Sequence, residues 1–182
     1  SLRLILCKKQ GGDALRRRSR QAACVDNLRI LYRCWIAYAA DNDDHPVPLL
    51  AKVNHTGKSY QDNAYWASIM ESKLPDSQNI KPYMPMALLS QKSLLCCPEE
   101  PRPKMLSSAG VHYGMNYRIF QGPQKGGVKV KELIESPQTA LFVDAGSYVA
   151  GSTWGFRHVR FRHLDGLNAV FTDGRVEWLD KE

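Results

Sequence analysis

Apolar positions recur at helical intervals through the first forty residues. Cys24, Leu28, Leu31, Trp35 and Tyr38 are spaced 4, 3, 4 and 3 apart, which lays one continuous stripe along a helix. Val25, Ile30 and Ala37 widen that stripe, while Arg29 and Arg33 fall off it. The pattern predicts a helix over 13–40, capped by Asp13 just after the breaker Gly11-Gly12. Residues 14–23 are charged or small. That half of the helix has little apolar surface to bury and is expected to project. Asp41-Asn42-Asp43-Asp44 ends the helix, and Pro46 and Pro48 prevent its return.

A second, shorter helix fits Gln61–Leu74, with Tyr65, Trp66, Ile69, Met70 and Leu74 on one side. Residues 75–110 carry Pro75, Pro82, Pro85, Pro98, Pro101 and Pro103. They read as a long irregular loop over the core, anchored by Tyr83, Leu94-Leu95 and Cys96-Cys97. The C-terminal third changes character. Thr139–Val143 is a short apolar strand ending at Asp144-Ala145-Gly146, and Val159–His163, Leu167–Thr172 and Arg175–Leu179 are three more candidates. Asp165-Gly166 and Asp173-Gly174 separate the last three, and Asp-Gly between apolar runs is a strong hairpin signal. The prediction is a three-stranded antiparallel meander, with Thr139–Val143 as a fourth strand, crossed by the long helix. By order of elements that is an α+β fold.

Charge sharpens the division of the chain. Of 25 basic and 18 acidic side chains, residues 1–20 hold seven basic (Arg3, Lys8, Lys9, Arg16, Arg17, Arg18, Arg20) and only Asp13. The net charge of +7 is therefore almost wholly N-terminal. A nearly neutral body argues against a broad nucleic-acid face, and no aromatic interleaves with the Arg16–Arg20 run. A basic segment beside a membrane stays open. No stretch of about 18 apolar residues exists, and Leu2–Cys7 is too short for the core of a secretory signal.

Candidate chemistry is sparse. The five cysteines, Cys7, Cys24, Cys34, Cys96 and Cys97, contain no C-x-x-C pair, so a zinc ribbon or thioredoxin-like motif is unsupported. Two readings stand: one of Cys96 and Cys97 pairs with Cys24 in a disulfide, or all are buried free thiols. His158 and His163 lie near Asp165 and Asp173. On a strand their odd separation points them to opposite faces, so a hydrogen-bonded histidine is preferred over a metal ligand. Asp41, Asp43 and Asp44 resemble the opening of a calcium loop, but Pro46 and Lys52 stand where it needs Gly and Glu. Calcium held in another geometry stays open. No nucleophile elbow is present, Gly126-Gly127 opens no helix, and the sequon Asn54-His55-Thr56 is too common a pattern to use. No catalytic set emerges. The expectation is a non-enzyme without cofactor or metal.

Several segments taken together resemble a known family. His163-Leu-Asp-Gly-Leu-Asn168-Ala-Val-Phe171-Thr-Asp173-Gly174-Arg-Val-Glu-Trp178 is similar to the H-x9-D-G element of prepilin-like proteins related to type II secretion pseudopilins. Cys24-Val-Asp-Asn27-Leu28-Arg29, Tyr38-Ala-Ala-Asp41-Asn42-Asp43 with Pro46, Cys97-Pro98, Tyr113-Gly-Met-Asn116 and Pro137–Asp144 match further landmarks in order. The resemblance covers about Gln21 to the C-terminus.

It implies a pseudopilin-like α+β head over 21–182, with 1–20 as a basic membrane-proximal stub. Members begin with a prepilin-peptidase site and an apolar helix, and Ser1–Leu6 is read as the stub just after such a helix. The implied function is assembly with other pseudopilin-like subunits and the secretion or pilus machinery. Such a subunit is anchored in the inner membrane of a bacterial envelope, head outward. His163, Asn168, Phe171, Asp173, Gly174 and Trp178 are then structural, with the His163 side chain expected to fix the loop at Asp165-Gly166. Two other readings remain. One is a secreted or surface domain binding polysaccharide or peptide, with Trp35, Trp66, Trp154 and Trp178 as a stacking platform. The other is a hydrolase with a metal at His158, His163 and Asp173.

Overall fold

The computed structural model describes residues 2–52, 63–75, 93–100, 111–120, 128–151 and 158–182. Trp154, Tyr83, Gly126-Gly127 and the 54–56 sequon lie outside them.

Helix α1 runs from Leu2 to Ala40, 39 residues or about 58 Å. Gly11-Gly12 does not break it and Asp13 does not cap it, contrary to the prediction. A glycine costs a helix interior only about 1 kcal/mol relative to alanine, and the good helix formers Lys9, Gln10, Ala14 and Leu15 lie within three residues of the pair. No described helix is long and apolar enough to cross a membrane. The two halves of α1 differ as the polarity pattern predicts. Asp13 through Ser19 are exposed on every side of the helix. From Cys24 onward one face is buried: Cys24, Leu28, Leu31, Cys34, Trp35 and Ala39. Tyr38 is only partly buried and Ala37 is exposed, so the stripe is widened by Cys34 and Ala39 instead of Ala37. Asp43 and Asp44 take left-handed backbone at φ 51° and 61°. The Asp44 N–H meets the Ala39 carbonyl at 2.9 Å and closes the helix.

The buried face lies on a five-stranded sheet. Its strands are β3 (Tyr113–Asn116), β4 (Ala140–Asp144), β5 (Val149–Ala150), β6 (Gly166–Phe171) and β7 (Val176–Asp180), in the order β5-β3-β4-β6-β7. All neighbours are antiparallel except β3 and β5. Two short strands, β1 (Leu50–Lys52) and β2 (Asn63–Tyr65), pair separately. The α+β class therefore stands, with five strands in place of three or four. The predicted Gln61–Leu74 helix resolves into β2, a short helix α2 (Trp66–Ile69) and a 3-10 turn at Glu71–Lys73. Trp66 packs on Phe142, ring centroids 4.9 Å apart, and donates its indole N–H to the Tyr148 carbonyl. A further short helix, α3 (Val130–Ile134), follows. Its Val130 N–H bonds to the Asp44 carbonyl.

The sheet separates two apolar clusters. Tyr113, Met115, Leu141, Phe142 and Val170 share the core with α1, while Val143, Leu167, Ala169 and Phe171 pack on the other face. The β4–β6 register slips between Ala140 and Phe142, and this irregularity lets both Leu141 and Phe142 face the core. Leu94, Leu95, Cys96 and Cys97 are buried, as expected of loop anchors.

Two turn assignments come out differently. Asp173-Gly174 closes the β6–β7 hairpin as predicted, with Gly174 at φ 87°. An added Cβ there would stand 2.6 Å from the Tyr32 ring. At the other turn, Leu164 and Asp165 are the positive-φ pair, at 52° and 64°, and Gly166 is already the first residue of β6. Val159–His163 is not a strand. It makes only two isolated bridges, Ala145 to Val159 and His163 to Gly166. Between them Arg162 turns inward, its side chain 8% exposed, and a ladder cannot continue past an inward charge that takes backbone carbonyls.

The division of α1 predicts contrasting substitutions. Leu31→Ala, at a fully buried position, is expected to cost about 2–5 kcal/mol. Leu15→Ala, 68% exposed on the projecting half, should change stability by less than about 0.5 kcal/mol. Urea unfolding of both variants reads the difference, and equal costs would contradict a projecting N-terminal half.

Candidate functional site

Four side chains from four separate segments converge between α1 and the sheet. Cys24 comes from the first buried turn of α1, Cys97 from the 93–100 segment, Asp144 from the end of β4, and His163 from just before β6. One ligand-type atom of each lies within 4.8 Å of all the others. Exposures are 0%, 1%, 0% and 2%. Among the described residues no other group of three or more His, Cys, Asp or Glu side chains converges in this way.

The local reasons are legible in the fold. Asp144 follows the apolar run of β4 on the side facing α1, and its Oδ2 accepts the Asn168 N–H at 2.7 Å. The Cys24 thiol donates to Asp144 Oδ1 at 3.3 Å, and the Tyr113 hydroxyl donates to Cys24 Sγ at 3.3 Å. His163 Nε2 stands 3.3 Å from Cys97 Sγ and 3.5 Å from Asp144 Oδ2. The His163 backbone is held apart from these contacts. It exchanges two hydrogen bonds with Gly166 and receives the Trp178 indole N–H at 2.7 Å. Gly166 is required there because a Cβ would meet the Trp178 ring at 2.3 Å. The loop is thus fixed by the backbone of His163, and the imidazole points inward instead of to the loop.

Arg162 completes the surroundings. Its guanidinium donates to Glu100 Oε2 at 2.7 Å, to the His112 carbonyl at 2.9 Å and to the Ala145 carbonyl at 2.7 Å. It lies 3.8 Å from Asp144 Oδ1. His112 accepts the Cys97 N–H on Nδ1 at 3.0 Å, which fixes that nitrogen as the acceptor. Burial, then the Arg162 charge, push the His112 imidazole below its usual range.

The thiols are differentiated by these contacts. The neighbouring Cys24, helped by the contact with His163 and opposed by burial, brings Cys97 down to about 6. Cys97, together with burial, pushes Cys24 up. Burial presses His163 down, but hydrogen bonds and charge from Asp144 and Cys97 outweigh it and lift the imidazole to about 9. Burial pushes Cys96 up to about 11. The arrangement favours a thiolate on Cys97 beside an imidazolium on His163. Both side chains are buried.

The site predicted from sequence is divided by the structure. Cys97, not Cys96, is the partner brought to Cys24, and Cys24, Cys34, Cys96 and Cys97 are free thiols. His158 is partly buried and contributes its backbone carbonyl to Gly146. Asp173 accepts the Arg175 N–H in the hairpin at 3.0 Å. His158, His163 and Asp173 therefore do not form a common site. Asp41 pairs with Lys73, Asp44 accepts the Lys131 N–H, and the Asp43 carbonyl receives Lys129. These three do not converge as calcium ligands. Trp35 and Trp66 are fully buried, so they belong to the core and to no stacking platform. Phe171 packs under Arg175, whose guanidinium lies 4.3 Å from the ring centroid. Asn168 is fully buried, and its side-chain amide makes no hydrogen bond among the described residues. Asp144 and Tyr113 enter the sequence reading only as landmarks of the resemblance and Arg162 only as a polar position of a candidate strand, none of them as a site residue. The one available signal was a carboxylate directly ending a buried apolar strand.

Removing one member of this network should strand the others. His163→Ala leaves Asp144 and Cys97 buried beside an empty space and is expected to cost about 3–5 kcal/mol. In an Asp144→Asn background the same substitution should cost less, with a coupling of about 0.5–3 kcal/mol between the two sites. Thermal unfolding of the double-mutant cycle measures this, and strict additivity would show that the two side chains do not act together. Searches of family models, of curated proteins and of solved structures found nothing that matches this chain.

Proposed function

We propose that this chain is a non-catalytic, pseudopilin-like subunit of a type II secretion or type IV pilus-like envelope assembly. The observation that carries the reading is the division of α1. Its 13–19 stretch is exposed on every side, while Cys24–Ala39 is built into the head. A helix polar all round bridges between domains or is held by its own i,i+4 pairs, and a bridge to neighbouring subunits is the form of it that this reading uses. The charge of the same stretch suits a position near lipid headgroups or between subunits. Positive charge is less usual on the outer side of a membrane, so an inter-subunit role for Arg16–Arg18 is preferred. The burial of Cys24, Cys97, Asp144 and His163, each at most 2% exposed, supports a structural role over an enzymatic one.

The second reading, a secreted or surface domain that binds polysaccharide or peptide, rests on a different observation. A concavity of about 470 Å³ lies on the far face of the sheet, lined by Val143, Val159, Phe161, Leu167 and Leu179. Phe161 is 43% exposed there. The reading is weakened by the loss of Trp35 and Trp66 to the core.

The test is made on the full-length gene product in its own cells. Deleting the prepilin peptidase should lengthen the mature chain and prevent its assembly, and an unchanged mass would sink the proposal. Replacing Arg16, Arg17 and Arg18 together by glutamine should reduce cross-linking between subunits at a photoreactive residue placed at Leu15. Undiminished cross-linking would remove the basic run from the assembly. Sugar- or peptide-array binding lost on Phe161→Ala, without any effect of the peptidase, would favour the second reading.

A further inference from the structure

The convergence of Cys24, Cys97, Asp144 and His163 goes beyond an assembly role. The geometry points to a structural site for a divalent transition metal, zinc above all, bound by Cys24 Sγ, Cys97 Sγ, His163 Nε2 and an Asp144 carboxylate oxygen.

Distances carry the first part of the argument. Zinc bonds of about 2.3 Å to sulfur and about 2.0–2.2 Å to nitrogen and oxygen, in a tetrahedron, put neighbouring ligand atoms about 3.4–3.8 Å apart. Three separations here are 3.3 Å from Cys97 Sγ to His163 Nε2, 3.3 Å from Cys24 Sγ to Asp144 Oδ1 and 3.5 Å from His163 Nε2 to Asp144 Oδ2. The four ligand atoms all lie within 4.8 Å of one another, close enough for one ion to draw them together, with either Asp144 oxygen available to it.

Ligand chemistry carries the second part. Two thiolates, one imidazole and one carboxylate are all zinc ligand types, and four protein ligands fill a tetrahedron as in a closed structural centre. Charge is consistent as well. Two thiolates and one carboxylate carry three negative charges, and a divalent ion with the Arg162 guanidinium, 3.8 Å from Asp144, carries three positive ones. A divalent ion thereby offsets most of the buried negative charge, and Arg162, shared with Glu100 at 2.7 Å, offsets part of the remainder.

The surroundings carry the third part. Metal ligands are held by outer hydrogen bonds that set their orientation, and these are present. Tyr113 donates to Cys24 Sγ, Asn27 donates to the Tyr113 hydroxyl at 3.2 Å, and Asn168 N–H holds Asp144. The four ligands come from α1, the 93–100 segment, β4 and the segment before β6. An ion here would therefore tie the long helix to three parts of the head. A disulfide between Cys24 and Cys97 would use only two of the four groups and leave Asp144 and His163 without the thiols they face.

The test uses the whole chain, produced in zinc-supplemented medium and also refolded under reducing conditions with and without zinc, because a sealed site loads as the protein folds. One zinc per chain is expected by elemental analysis, with a higher melting temperature when zinc is present during refolding. Cobalt in place of zinc should give tetrahedral d–d bands with thiolate-to-metal charge transfer. Cys97→Ser and His163→Gln should lose the metal, while Cys34→Ser, outside the cluster, should keep it. Tyr113→Phe should weaken zinc affinity about 10–100-fold through Cys24. If the ligand variants fail to fold, the cobalt spectrum of the unsubstituted chain still decides. Substoichiometric zinc with no thermal shift, a cobalt spectrum lacking thiolate ligation, or an isolated chain holding a Cys24–Cys97 disulfide and taking up no metal after reduction would each overturn the proposal. The peptidase and cross-linking experiments read assembly and do not depend on this outcome.

Discussion

One carboxylate sets the terms for the rest of the molecule. Asp144 is wholly excluded from solvent, and a buried ionised carboxylate is costly unless it is paired and hydrogen-bonded. Its partners are the Asn168 N–H, the Cys24 thiol, His163 and, more distantly, Arg162. They belong to three segments: β6, α1 and the 158–163 connection. Helix, sheet and the 158–163 connection cannot part without leaving that charge unmatched. The apolar stripe of α1 supplies much of the driving force for docking, but it is nonspecific about position. Asp144 fixes which turn of the helix lies over which strand.

The same constraint explains why the 158–163 segment departs from a regular strand. Its alternation of Val159, Arg160, Phe161 and Arg162 satisfies the period of a half-buried strand. A ladder in that register would send Arg162 along one face with no special fate. Instead Arg162 is drawn inward, where it binds Glu100 and two backbone carbonyls and lies within reach of Asp144. The segment keeps one bridge at each end and gives up the pairing between them. The next residue then brings its imidazole to the thiols.

Much of the architecture was legible because it is local. The Cys24–Trp35 stripe, the apolar β4, the hairpin at Asp173-Gly174 and the helix stop at 41–44 all follow from spacing and turn chemistry within a few residues. β3 and the two residues of β5 were not legible. Tyr113–Asn116 has a glycine in its interior, and β5 is held by parallel pairing to β3 that no local pattern encodes. The cluster was half legible. Cys24, Cys97 and His163 drew attention as residue types, and the choice between Cys96 and Cys97 stayed open. Their meeting depends on contacts across 66 residues for Cys97 and His163 and 120 for Cys24 and Asp144, and such pairings are set by the tertiary fold alone. At His163 the bond expected from the side chain to the loop at Asp165-Gly166 is made by the backbone instead.

The position of Cys24 along α1 gives the cluster its mechanical meaning. It is the first fully buried residue after the exposed stretch, so the head grips the helix at the boundary between its two halves. The 93–100 segment reinforces that grip: Arg20 pairs with Glu99 at 3.3 Å, and Asn27 donates to the Cys96 carbonyl at 3.3 Å. From that boundary Cys24 reaches Asp144 of β4 and Asn27 reaches Tyr113 of β3, both interior strands of the sheet and neither an edge strand. A grip built on apolar contacts alone would let the helix slide by a turn at small cost, since neighbouring apolar residues exchange places. A grip built on a buried carboxylate, two thiols and an imidazole has no equivalent arrangement one turn away. The register of helix on sheet is therefore held by polar chemistry, and the apolar stripe supplies adhesion around it.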